Sequence, residues 1–258
     1  MIDCGSFEYA HARLCARHGE RLDEAAWRRI AALREIAPLL DVGRASGLRR
    51  WLVGIGVDST AHQAEAILRG HWRALVGEVV AWMPAAWQAP IAWCAVLPDL
   101  ALLQHLARGG EAAPWMHDDA LWRELVVTPP HARAALLSAG PYAALALAWP
   151  TSQTIVQAWH DEWQRRLPPA PSDSVGPGDT LAQLVRLLFE HSKAFAEAPG
   201  AQGWSQRSAL RAQLSILLRR AVLEPAAAFI HIALCALDIE RLRAELLRRF
   251  LFPHPKAA

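Results

Sequence analysis

Residues Pro225 to Phe252, PAAAFIHIALCALDIERLRAELLRRFLF, carry one uninterrupted helical pattern, closed by Pro253. Ile232, Cys235, Ile239, Leu242, Leu246 and Phe250 recur at spacings of three and four. That spacing draws a continuous apolar seam along a helix of about 40 Å. A seam of this length must be covered. The chain therefore has to fold other helices against its own last segment, or present that segment to a partner.

Composition points the same way. Ala, Leu and Arg dominate while Val, Ile, Thr and Tyr are sparse, and no stretch alternates as a half-buried strand would, so the expected fold class is all-α. The 258 residues are 53% apolar and 20% charged, which excludes a disordered chain and permits a large core. A net charge of +2 is too small for an electrostatic nucleic-acid footprint, so no nucleic-acid partner is expected. Lys and Arg outnumber Asp and Glu 11 to 7 from Gly178 onward, against 16 to 18 before it. This bias suits a solvated, Arg-rich helix face, with an acidic partner or a membrane surface as the alternative.

Cys4, Cys15, Cys94 and Cys235 are scattered and form no CxxC pair, so neither a zinc knuckle nor a dithiol redox site is predicted. Cys94 and Cys235 lie in apolar surroundings and read as reduced core thiols of a cytoplasmic protein. Asp3, Glu8, Arg13 and Arg17 interrupt the N-terminus, and no signal peptide is expected. Val79 to Pro98 is uncharged over about the length of a membrane span. Pro84, Pro90 and Pro98, with Trp82, Trp87 and Trp93 spread through it, predict two short buried helical pieces and no direct membrane insertion.

Along the chain, the pattern predicts helices from about Ser6 to His18, Asp23 to Leu40, Asp58 to Arg69 and Trp72 to Met83. Further segments follow at Ala89 to Leu97, Asp99 to Ala107, Asp118 to Val126 and His131 to Ser138. Thr151 to Leu167 reads as a helix capped by Thr151 or Ser152. Residues 1–167 are then an N-terminal helical region and 168–179, PPAPSDSVGPGD, a linker or exposed loop. Residues 180–258 hold three helices, Thr180 to Glu197, Ser205 to Leu223 and Pro225 to Phe252. The architecture expected is a multi-helix bundle or funnel-like array with its first and last helices packed together.

No complete catalytic set emerges, and the chain reads as no enzyme, with no metal and no cofactor. Glu8 and His11 make one ExxH pair, but a di-iron bundle needs a second. No GxSxG elbow is present, and Gly54 and Gly56 open neither a Rossmann turn nor a P-loop. The twelve tryptophans sit mostly at helical spacing amid Ala and Leu, as core anchors. His117-Asp118 and His160-Asp161 resemble the paired ligands of HD metal-dependent phosphohydrolases, with His62, His71 and Asp238 able to complete a ligand set on paper. Asp118 also sits where a helix cap is expected.

Two segments resemble the family of V-type ATPase subunit d, which includes its counterpart in the archaeal A-type ATPases. They are Tyr9-Ala10-His11-Ala12-Arg13-Leu14-Cys15-Ala16-Arg17, similar to that family's first helix, and Pro225 to Arg249, whose LDIERLRAELL is similar to its closing helix. A fainter likeness lies at Glu65 to Arg69, while the family's middle Tyr-Asp-Asn pattern is missing. The resemblance implies a divergent bacterial relative that works as a non-catalytic structural subunit. Such a protein is a central-stalk socket, cytoplasmic and peripheral to the membrane, coupling the stalk to the membrane ring in ion transport. It also implies protein partners, the rotary ATPase stalk and ring subunits. Tyr9 and Arg13 of the first helix, and Glu240, Arg241 and Arg243 of the last, are the partner-binding residues it implies. The plainer expectation for Glu240 and Arg243 is an i,i+3 surface pair. Two other functions remain open at this point, the HD-like phosphohydrolase and a helical protein–protein interaction adaptor docking through the exposed part of the last helix.

Overall fold

The computed structural model describes residues 4–149, 154–169, 177–197 and 202–252, and every regular element among them is helical, with no strand. From the N-terminus come α1 (Cys4–Gly19), α2 (Glu24–Ala32), α3 (Ile36–Arg44), α4 (Ala61–Trp82) and α5 (Ala85–Trp93). Next are α6 (Leu100–Ala107), α7 (Arg123–Val127), α8 (Arg133–Ser138), α9 (Ala143–Ala146) and α10 (Ile155–Arg166). The last three are α11 (Pro177–Glu197), α12 (Gly203–Arg220) and α13 (Ala226–Leu251). The chain forms two compact units, one of Met1–Gln88 with Pro169–Ala258 and one of Ala89–Pro168. Most of the segment read as a linker, residues 170–176, lies outside the described residues, as do Thr151, Ser152 and Pro253.

In the first unit α13 is the central helix, and α1, α3, α4, α11 and α12 all pack on it. Ala226 through Ile232 are buried all round. Beyond them the seam narrows to Leu234, Cys235, Asp238, Ile239, Leu242, Leu246 and Arg249, while Phe250 is half-exposed. The apolar members contribute about 1.5–3 kcal/mol each for a buried Leu or Ile. The first and last helices do pack together, with α4 against both.

Two departures from the sequence pattern turn on single residues, Pro38 and Gly70. The helix expected over Asp23 to Leu40 is two helices, broken at Leu33 to Glu35. Pro38 has no N–H to give the carbonyl of Arg34, and its ring clashes there, so the chain must restart and place Pro38 in a first turn. Conversely, the two helices expected on either side of Gly70 are one, α4. Leu68, Trp72, Leu75, Val76 and Val79 keep one buried stripe running through the glycine, and packing outweighs its low propensity. The cap lies at Thr60, whose side chain and that of Gln63 close a capping box.

The stretch from Ala85 to Ala107 is apolar and long enough by composition to cross a membrane, with 44% of its apolar window buried. It is broken into α5, a 3₁₀ segment at Cys94–Asp99 and α6, with Pro90 and Pro98 inside. In the second unit, Trp93 and Trp159 each donate an indole N–H to the other's carbonyl, at 3.0 and 3.2 Å. The Tyr142 hydroxyl donates to buried Asp99 at 2.9 Å. Thr154, rather than Thr151 or Ser152, caps α10 through Gln157 N–H, and the Gln104 side chain accepts from Ile155 N–H beside it. Asp118 does not cap α7. The neighbouring Asp119 accepts from Leu121 N–H at 2.9 Å instead.

Candidate functional site

Only one position in the buried seam of α13 bears a carboxylate. Asp238 follows Cys235 by three and precedes Leu242 by four, so its side chain enters the core of the first unit and is only 6% exposed. Arg21, in the turn after α1, reaches it through Nε at 2.6 Å and donates a second bond to the Leu234 carbonyl at 3.1 Å. Arg211 of α12 pairs with the other carboxylate oxygen and donates to the Leu22 carbonyl. One buried acid thus joins the α1–α2 turn, α12 and α13.

The surroundings are strongly cationic, and the groups there respond to it. Burial, with Arg21 and Arg241 nearby, brings the Arg211 guanidinium down to about 10. Burial also lowers Arg21. His231, 1% exposed and one turn before Cys235, is held neutral down to about 3, by burial first and then by Arg21, His18, Arg50 and Arg17. His18 is lowered by burial and by Arg21, Arg219 and Arg211. Cys235 approaches His231 Nε2 at 3.6 Å, but burial raises its thiol to about 11, so it is no thiolate nucleophile. The cleft beside these groups measures about 20 Å³, room for about one water. The arrangement is a clasp between helices.

The residues expected to meet a partner have varied surroundings. Tyr9 is 55% exposed, and Arg13 is exposed with its guanidinium 5.2 Å from the Trp82 ring. The three on α13 are engaged inside the chain. Glu240 pairs with Arg207 of α12 at 2.8 Å, and Arg243 with Glu65 of α4 at 2.7 Å, so the two do not pair with each other. Arg241 holds Glu24 of α2 through two bonds of 2.8 Å and lies 4.9 Å from the Trp27 ring. The hydrogen bonds from Arg241 hold the Glu24 carboxyl below the usual range. Arg207 is sandwiched further, 4.2 Å from Phe195 and 5.2 Å from Trp204.

Leu242 and Leu246 are core, at 0% and 1% exposure, so the seam offers no adaptor face at these positions. Among the described residues no three His, Cys, Asp or Glu side chains stand close enough to hold a metal. His160 and Asp161 approach only to 3.9 Å, His117 and Asp118 are exposed, and Asp238 is committed to its two arginines. From the sequence Asp238 is read only as a candidate metal ligand, although its place three after Cys235 and four before Leu242 puts an acid on the apolar seam. Its partners Arg21 and Arg211 had no signal in the local pattern, because nothing in a helical period announces a contact with another helix or turn, across 217 positions in the case of Arg21. No family model, no curated protein and no solved structure matches the chain.

Proposed function

We propose that this chain is a non-catalytic structural subunit resembling the central-stalk socket of V-type and A-type ATPases, seated at the membrane through its complex. The observation that carries this reading is the direct packing of α1 on α13, the two helices that bear the resemblance, within one compact unit. A coupling element must transmit force without yielding. Clamping the first and last helices through a buried acid with two arginines, and through α4, suits that task.

The intramolecular pairs narrow the surface this reading can use. Glu240, Arg241 and Arg243 act as internal ties, which leaves Tyr9 and Arg13 on α1 as the residues to meet the stalk or ring. Affinity purification of the tagged chain from its native cells, with mass spectrometry at moderate salt, tests the proposal. Recovery of rotary ATPase subunits, reduced by Tyr9→Ala without loss of fold, is the expected result. Recovery of the chain without any such subunit rejects it.

A further inference from the structure

Helices α11 and α12 form an antiparallel hairpin, for Gly203 and Arg207 at the start of α12 lie against Phe195 near the end of α11. Between them runs an open trough of about 430 Å³. Its lining positions on α11, from Gln183 to Glu190, and on α12, from Gln213 to Arg220, each follow the i, i+3, i+4, i+7 pattern, so the trough is two helical turns long. Leu187, Ile216 and Leu217 form its floor, with Ile216 43% exposed. Arg186 and Arg220 stand toward the α12 C-terminal end, and Glu190 toward the hairpin turn.

The charges along the trough are unbalanced. Helix α12 contains four arginines and no acid. Arg207 and Arg211 are consumed by Glu240 and Asp238, but Arg186 and Arg220 have no ion-pair partner among the described residues. Of the described side chains of α11, only Leu181 and Leu184 are buried, although Leu188 and Phe189 are also apolar and stay exposed.

We propose that this trough receives an amphipathic helix from a partner protein, apolar over Leu187, Ile216 and Leu217 and acidic over Arg186 and Arg220. A third helix fits the groove between two packed helices because its own ridges repeat at the same spacing. The two unpaired guanidiniums select carboxylates at one end, and Glu190 rejects them at the other, which fixes direction as well as charge. A uniformly anionic lipid surface would meet Glu190 with repulsion. A second copy lying antiparallel on the same face would set two arginines against a single glutamate at each end and keep a surplus of positive charge. The proposal stands apart from the rotary ATPase reading and does not need it.

The test places a benzoylphenylalanine at position 216 of the full chain in its native cells and maps the photo-crosslinked segment by mass spectrometry. The expected product joins an acidic amphipathic helix of another protein. Its yield falls at least ten-fold in the Arg186→Glu, Arg220→Glu double variant and returns when the acids of the captured segment are changed to lysine. Because both arginines are exposed, the variant keeps the parent's helical circular dichroism and melting temperature. Crosslinks to lipid or to a second copy, a captured segment without acids, a yield indifferent to the charge reversal, or no crosslink at all overturns it.

Discussion

Asp238 and Arg21 lie 217 positions apart in the chain and 2.6 Å apart in the fold. The same offset recurs at Arg241 with Glu24 and at Arg248 with the Ala31 carbonyl. A constant difference in residue number means that α13 and the α1–α2 turn through α2 run parallel and in register over three turns of helix. The last helix therefore organises the first part of the chain by arginine and aspartate pairs as well as by its apolar seam.

Removing the acid of that clasp leaves two guanidiniums in the core without their counter-charge. Asp238→Asn should cost about 3–5 kcal/mol, the range for breaking a buried pair from one side. Arg21→Met should cost less in the Asp238→Asn background than alone, because the interaction is already lost. Urea unfolding of the two single variants and the double variant reads the coupling. Strict additivity would show that Asp238 and Arg21 do not act together.

How far the sequence foretold this arrangement depends on the range of each interaction. The α13 seam was legible because burial imposes a period of three and four on neighbouring residues. Pro38 was legible as a disruption, although the break falls upstream of it, at the carbonyl its ring would strike. Gly70 was misleading, since a glycine stops a helix only where packing does not carry the stripe past it. The ties from Glu240 to Arg207, Arg241 to Glu24 and Arg243 to Glu65 were illegible: the spacing offered Glu240 and Arg243 as a pair with each other, and the resemblance offered all three to a partner. An exposed-looking helix face acquires its partners from topology, which a local window does not contain. The trough between α11 and α12 was equally hidden, because it exists only once the two helices pair.

His231 makes stability depend on pH. The folded chain keeps this imidazole neutral until pH falls to about 3, whereas the unfolded chain binds the proton near 6.5. Between those values the unfolded state holds more protons, so the contribution of His231 is complete above pH 6.5 and is lost as pH falls toward 3. His18 and His191, also lowered, add in the same direction. Unfolding free energy should drop by about 3 kcal/mol from His231 alone between about pH 7 and about pH 4. His231→Phe should flatten the curve by close to one proton. An unchanged slope in that variant would refute the assignment.

The buried thiols should be silent in the native protein. Burial raises Cys94 to about 12 and Cys235 to about 11, so neither presents a thiolate near neutral pH. Cys15 is exposed on α1. Brief treatment with iodoacetamide followed by peptide mapping should label Cys15 and leave Cys94 and Cys235 unmodified until urea unfolds the chain. Rapid native labelling of Cys235 would mean that the clasp around Asp238 opens locally.

Of the three arginines of α13 that reach α2 or its end, Arg241, Arg248 and Arg249, the first and last should differ in what they contribute. Arg241 faces Glu24, whose side chain is 52% exposed, so Arg241→Met should cost no more than about 1 kcal/mol. Arg249 is 2% exposed and donates to the Ile30 and Leu33 carbonyls at the C-terminus of α2, where the helix leaves acceptors unsatisfied. Its Nη1 also pairs with Glu245 at 2.7 Å. Arg249→Met leaves the Leu33 carbonyl without its donor, while Ile30 keeps the Leu33 N–H and Glu245 keeps Arg248, and should cost about 2 kcal/mol. Hydrogen exchange separates this local effect from global unfolding: the amides of α2 should lose protection in Arg249→Met and keep it in Arg241→Met. Equal effects of the two substitutions would show that α2 is held by apolar contacts through Trp27 and Ile30 rather than by the arginine cap.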